Sequence, residues 1–165
     1  MSSAGLENLG LSEKNLAKIN KLIKVPNGII LVAGATGSGK STLVNLIVRF
    51  YDVTDGEILI DGVNIKDYKL EYLYKLIGYV PQRAVLFNGT VNSNISYGEA
   101  MEKISDKKIV EASKVAQADE FISKMDDGYE SHIAQGGTNV SGGQKQRIAI
   151  SRAIAKNPKL LLCDE

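Results

Sequence analysis

Gly34-Ala35-Thr36-Gly37-Ser38-Gly39-Lys40-Ser41 is the stretch whose reading decides the fold. It fits the pattern G-x-x-x-x-G-K-[ST], and its flanks supply the context that the pattern requires. Upstream, Ile29-Ile30-Leu31-Val32-Ala33 is apolar without alternation, which predicts a strand buried on both faces. Downstream, Lys40 to Phe50 predicts a helix. Strand, glycine turn and helix in this order make a phosphate-binding loop. The glycines let the backbone wrap with its N–H groups inward, and the helix N-terminus adds partial positive charge. In such a loop Lys40 reaches the β- and γ-phosphates and the Ser41 hydroxyl ligates Mg²⁺. Thr42, next in the helix, completes the candidate nucleotide contacts.

Two more segments acquire meaning beside this loop. Leu160-Leu161-Leu162-Cys163 predicts a strand that ends on Asp164-Glu165. Apolar strands that end in acids are common, but paired with a phosphate loop the carboxylates have work. Asp164 can hold the water shell of Mg²⁺, and Glu165 can polarise an attacking water. Cys163 is a small core residue of that strand. The second segment is Val140-Ser141-Gly142-Gly143-Gln144-Lys145-Gln146-Arg147. A serine and two glycines opening a helix make a second anion site, with a capping hydroxyl and bare N–H groups. Two such helix starts about a hundred residues apart suggest a nucleotide shared between two chains.

The rest of the chain is read around these segments. Ser12 caps a first helix with Leu16, Ile19 and Ile23 on one face, stopped by Val25-Pro26-Asn27-Gly28. Glu57-Ile58-Leu59-Ile60 followed by Asp61-Gly62 predicts a strand entering a tight turn. A short helix at Leu70 to Lys75 leads into the strand Ile77-Gly78-Tyr79-Val80, ended by Pro81. From about Asn88 to Ala134 the pattern is helices and turns without a strand; Ser105 caps one helix and Asp126-Asp127-Gly128 is a turn. Ser141 caps a helix of about sixteen residues that Asn157-Pro158 ends. The expected architecture is α/β: a parallel core with an inserted helical subdomain. The boundaries are 1–28 for the N-terminal helix and turn, 29–87 for the core, 88–140 for the helical part and 141–165 for the last helix and strand.

Composition excludes other classes. The 165 residues are 44% hydrophobic and 24% charged, an ordinary globular balance for one domain. A chain of this size buries roughly 70% of its unfolded surface without needing disulfides or metal. A single cysteine leaves no internal disulfide and fits a reducing cytosolic compartment. Twenty basic against nineteen acidic side chains leave +1, so no overall field draws the chain to nucleic acid. Apolar runs are too short for a membrane span, and the first residues lack signal-peptide order.

The segment Ser141-Gly142-Gly143-Gln144 resembles the signature loop of the ATP-binding cassette (ABC) family, and the likeness is long. From Ser41 through Pro158 the chain is similar to the nucleotide-binding domain of an ABC exporter. The sequences Phe50-Tyr51-Asp52-Val53-Thr54-Asp55-Gly56-Glu57-Ile58 and Asp61-Gly62 are typical of that group, as are Val85-Leu86-Phe87-Asn88-Gly89-Thr90 and Asn94-Ile95. Gln82 matches the family's Q-loop glutamine, a Mg²⁺ and water contact. The resemblance implies a P-loop ATPase using Lys40, Ser41, Gln82, Asp164 and Glu165. It also implies ATP and Mg²⁺, a head-to-tail homodimer with Ser141, Gly142, Gly143 and Gln144 acting in trans, and cytoplasmic membrane-domain partners that export a substrate.

The chain also departs from that pattern. Leu9 to Thr42 looks instead like the approach to the phosphate loop in type II secretion and type IV pilus ATPases. No aromatic precedes Phe50, so the family's adenine-stacking platform is missing, and His132 lies too early to be its switch histidine. The chain reads as a mosaic that stops at the catalytic glutamate, an engineered chimera or a fragment. In this branch the strand after the Asp-Glu pair lies between that strand and the phosphate-loop strand. The expected sheet is therefore incomplete, with a gap and two unpaired edges unless it closes differently or another chain fills the slot. An ATPase is the leading reading. A phosphate-binding module without turnover is the second, and a secretion-motor fragment the third.

Overall fold

The computed structural model describes residues 13–14, 28–32, 39–98 and 103–164. Its centre is a three-stranded parallel sheet of Gly28–Val32 (β1), Ile77–Val80 (β4) and Leu160–Asp164 (β7), in the order β1–β7–β4. The central strand pairs with β1 from Gly28↔Leu160 to Val32↔Asp164, and with β4 from Ile77↔Leu160 to Val80↔Cys163. All three strands therefore end at one edge of the sheet.

Alternation along β7 sorts the core into two layers. Leu160 and Leu162 face one side with Val48, Ile65, Leu73 and Ile77; Leu161 and Cys163 face the other with Val80 and Ala153. The first side is covered by the helix Lys40–Ile47 (α1), the hairpin Leu59–Ile60 (β2) and Val63–Asn64 (β3), and the helix Leu70–Leu76 (α2). The hairpin turns at Asp61 and Gly62, with φ of 52° and 76°, the mirror-image turn that matches strand twist.

The other side is covered by the helix Gly142–Ala155 (α6). Helices Val91–Ile95 (α3), Asp106–Val115 (α4) and Asp119–Ile122 (α5) gather around it. Their shared core includes Leu86, Val91, Ile95, Ile109, Ile122, Ile133 and Ile148, each no more than 1% exposed. Among the described residues, no helix is long and apolar enough to cross a membrane.

Of four expectations, two change. Among the described residues the sheet is incomplete, as expected, and it takes the first of the two courses left open: β1 and β7 pair directly along all five residues. The sheet is short, three strands, but closed at that point. The middle of the chain does contain strand, a two-residue antiparallel pairing of Gly89–Thr90 (β5) with His132–Ile133 (β6). Two residues cannot show an alternation, so the pattern hides them. The first helix after the glycine loop stops at Ile47 instead of Phe50. Arg49 turns to φ 57° there, and its guanidinium donates to the carbonyls of Ile65, Lys66 and Tyr68 at 3.2–3.3 Å. A tertiary contact ends this helix. Finally, the predicted first helix lies outside the described residues except for Glu13 and Lys14, which are helical and exposed.

Helix α6 and the sheet meet closely at Gly78. A Cβ there would stand 2.8 Å from Pro158 Cγ, 3.0 Å from Leu161 Cδ1 and 3.1 Å from the Ala153 carbonyl oxygen. Gly78→Ala is expected to lower stability by about 1–3 kcal/mol, the ordinary cost of overpacking. The measurement is urea unfolding, with a lower midpoint at unchanged slope. An unchanged midpoint would show that α6 and β4 have room to separate.

Candidate nucleotide-binding site

The site is built at the edge where the three parallel strands end. The register Val32↔Asp164 puts Asp164 beside the root of the loop 33–38, and Val80↔Cys163 puts Pro81 and Gln82 on its other side. Asp164 thus lies between the two segments that the sequence singled out. It is 4% exposed and two residues beyond Leu162, so it faces the α1 side of the sheet. Tyr79 shares that face. Burial raises its pKa above the usual phenol value, and the negative charge of Asp164 raises it further.

At the other wall, Gly39 opens α1 at φ 83°, a left-handed conformation that only glycine adopts at little cost. Among the described residues, the first turn of α1 has no side-chain cap and carries no acid, which suits its N–H groups and partial positive charge to an anion. Ser41 and Thr42 in that turn are exposed, and Val44 buries the opposite face of the helix at 0%. Lys40 is the first residue of α1. Gly34, Ala35, Thr36, Gly37 and Ser38 lie outside the described residues, as does Glu165.

A hydroxyl, an amide and one carboxylate from Ser41, Gln82 and Asp164 make an all-oxygen donor set. That chemistry fits Mg²⁺, which takes one or two carboxylates and completes its shell with water and phosphate. Among the described residues no group of three or more His, Cys, Asp and Glu converges on a metal.

The second predicted anion site has a sharper geometry than the sequence shows. Ser141 caps α6, its Oγ accepting from the Gln144 N–H at 3.2 Å, and the Gln144 side chain accepts from the Ser141 N–H at 2.8 Å. The capping box therefore engages Ser141 and Gln144 with each other. Gly142 and Gly143 stay exposed, and a Cβ at either would meet nothing within 4 Å. Neither glycine sits at positive φ, so among the described residues nothing calls for glycine at these two positions.

His132 is exposed on β6, with Nε2 2.9 Å from Asn88 Oδ1. Sequence reasoning missed Asn94 and Arg152, which knit the segment after Gln82 to α6. Arg152 donates to Asn94 O at 2.7 Å and to Val85 O at 3.0 Å; Asn94, 1% exposed, holds both backbone groups of Phe87. A buried asparagine has no periodic signature, and an arginine on a polar helix face reads as solvated.

The ABC transporter family matches residues 21–165. The chain belongs to that family. The ABC chain is 50% identical over 134 residues to ABC transporter B family member 22 of Arabidopsis thaliana, covering 81% of this chain and 11% of that protein. It is 46% identical over 154 residues to the ATP-dependent lipid A-core flippase of Haemophilus influenzae, covering 93% of this chain and 26% of that one. Among solved structures it resembles a bacterial Atm1-family ABC exporter with ATP bound, at TM-score 0.75 and 41% identity over 82% of this chain and 24% of that chain. The ABC chain thus spans about a quarter or less of the length of these relatives.

Proposed function

We propose that this chain is the nucleotide-binding domain of an exporter, binding Mg-ATP and hydrolysing it to power attached membrane domains at the cytoplasmic face. The observation that carries the reading is the placement of Asp164 between the root of the phosphate loop and the Gln82 segment. Lys40 holds the β- and γ-phosphate oxygens, and the bare first turn of α1 adds its N–H groups. Ser41, Gln82 and Asp164 would hold Mg²⁺, and the ion when bound would supply positive charge to offset what develops on those oxygens. Glu165 accepts a proton from water as the water oxygen bonds to the γ-phosphorus. The bond from that phosphorus to the bridging oxygen breaks, and ADP leaves with the electron pair.

The second half of the site comes from another copy, bound head to tail. The exposed glycines at 142 and 143 leave the α6 N-terminus open to close approach from outside, which their own chain does not require. In this reading the stretch Leu9 to Thr42 keeps its likeness to secretion and pilus ATPases, the chain being a mosaic.

Phosphate release from Mg-ATP, measured with and without Lys40→Ala, tests the activity. The expected result is release by the unmodified chain and none by the variant. ATP binding without release in the unmodified chain would leave a nucleotide-holding module instead.

A further inference from the structure

Gln82 sits in a short bow whose two ends are tied to one helix. On the near side, Gln146 of α6 donates its Nε2–H to the Pro81 carbonyl at 3.4 Å. On the far side, Arg152 of the same helix donates to the Val85 carbonyl at 3.0 Å. The far anchor is reinforced: Arg152 also donates to Asn94 O at 2.7 Å and Asn94 Oδ1 at 3.2 Å, and Asn94 clamps the Phe87 N–H and carbonyl at 2.8 and 2.9 Å. The Arg152 guanidinium further lies 5.4 Å from the Phe87 ring centre.

The spans agree. Six helical residues separate the anchors by about 9 Å along the axis of α6. The chain from Pro81 to Val85 can reach about 13 Å when extended, so it crosses with slack. Gln82 and Arg83, inside that slack, are exposed. Left to itself, a slack loop samples many positions, and a metal contact needs one.

We propose that Gln146 and Arg152 are positioning residues for Gln82, pinning the carbonyls on either side of it so that α6 fixes where the Gln82 amide stands relative to Asp164. This rests on the nucleotide reading only where Mg²⁺ is concerned; the anchoring itself exists without ligand. Gln146 is the cleaner residue to test, because Arg152 also supports the fold. Gln146→Glu keeps the size of the side chain and removes the donor, whereas Gln146→Ala removes both.

Amide hydrogen exchange on the full chain without nucleotide is the first measurement. Both variants are expected to speed exchange at residues 82–84 by about fivefold or more, with the urea midpoint lowered by no more than the share of one modest hydrogen bond. Calorimetry with ATP, with and without Mg²⁺, is the second. The gain in ATP affinity brought by Mg²⁺ should shrink by about fivefold in both variants, while Mg-free affinity stays as it was. Unchanged exchange at 82–84, acceleration in Gln146→Ala alone, or an undiminished Mg²⁺ gain would each overturn the assignment. An unmodified chain that binds no ATP would refute the nucleotide reading, and the exchange result would still decide the anchoring.

Discussion

Lys40→Ala is expected to weaken Mg-ATP binding by about a hundredfold or more in calorimetric titration, with the unfolding midpoint unchanged. Truncating one partner of a desolvated, hydrogen-bonded charge pair costs about 2–5 kcal/mol, and each 1.4 kcal/mol is roughly tenfold. The loss falls on binding alone because Lys40 is the first residue of α1, where alanine is a good helix former. The core of that helix rests on Val44 and Val48, which the substitution does not touch. Lys40→Arg should restore little, because a planar fork on a longer stem does not replace a compact ammonium inside a tight loop. Undiminished ATP affinity in Lys40→Ala would remove the phosphate-loop assignment.

Arg152→Ala is expected to lower stability by about 3 kcal/mol, as much as truncating a buried isoleucine of the same layer. The guanidinium satisfies Asn94 O, Asn94 Oδ1 and Val85 O at once, and lies over the stacked rings of Phe87 and Tyr97. Burial pulls its pKa down, with the nearby Tyr97 opposing that shift, yet guanidinium stays charged at any physiological pH. Removing it takes the donor from the Asn94 carbonyl, in a residue 1% exposed, at about 1–3 kcal/mol, while Asn94 Oδ1 keeps the Phe87 N–H; about 1 kcal/mol of cation–π contact is lost as well. Val85 is exposed, so water can replace the bond to its carbonyl, which holds the total down. The thermal midpoint should fall by about 6–12 °C for a chain of this size. Arg152→Lys should recover less than half of the loss, since one ammonium cannot serve three diverging acceptors. A fall of only a degree or two would show that the Asn94 node stands without the arginine.

The elements that the sequence discloses are those with local causes. The strand at Ile77–Val80 and the strand at Leu160–Asp164 are continuous apolar runs, and they form as expected because both faces of the sheet are covered. Ser105 and Ser141 cap their helices, since a hydroxyl before a helical run acts on the next turn whatever surrounds it. The Asp61-Gly62 turn follows from positive φ alone. What stays hidden has distant causes. Arg49 stops α1 through carbonyls sixteen to nineteen residues away, which no local pattern encodes. Direct pairing of β1 with β7 is a matter of which strands find each other, and a family likeness points elsewhere. At the site, residue types and spacing name Ser41, Asp164 and Ser141 as candidates only. They do not disclose that Asp164 faces the α1 side, that Ser141 and Gln144 cap each other, or that Arg152 and Asn94 hold the segment after Gln82.

The central claim is a nucleotide held between the phosphate loop of one copy and the Ser141 helix of another. Sedimentation velocity of the purified chain, with and without saturating Mg-ATP, tests it most directly. The account predicts a monomer that becomes a dimer when Mg-ATP is added. It also predicts that Gly143→Asp, whose side chain enters open space in its own chain, folds as before and stays monomeric. A chain that remains monomeric at saturating Mg-ATP, or a Gly143→Asp variant that dimerises as readily as the unmodified protein, would contradict it.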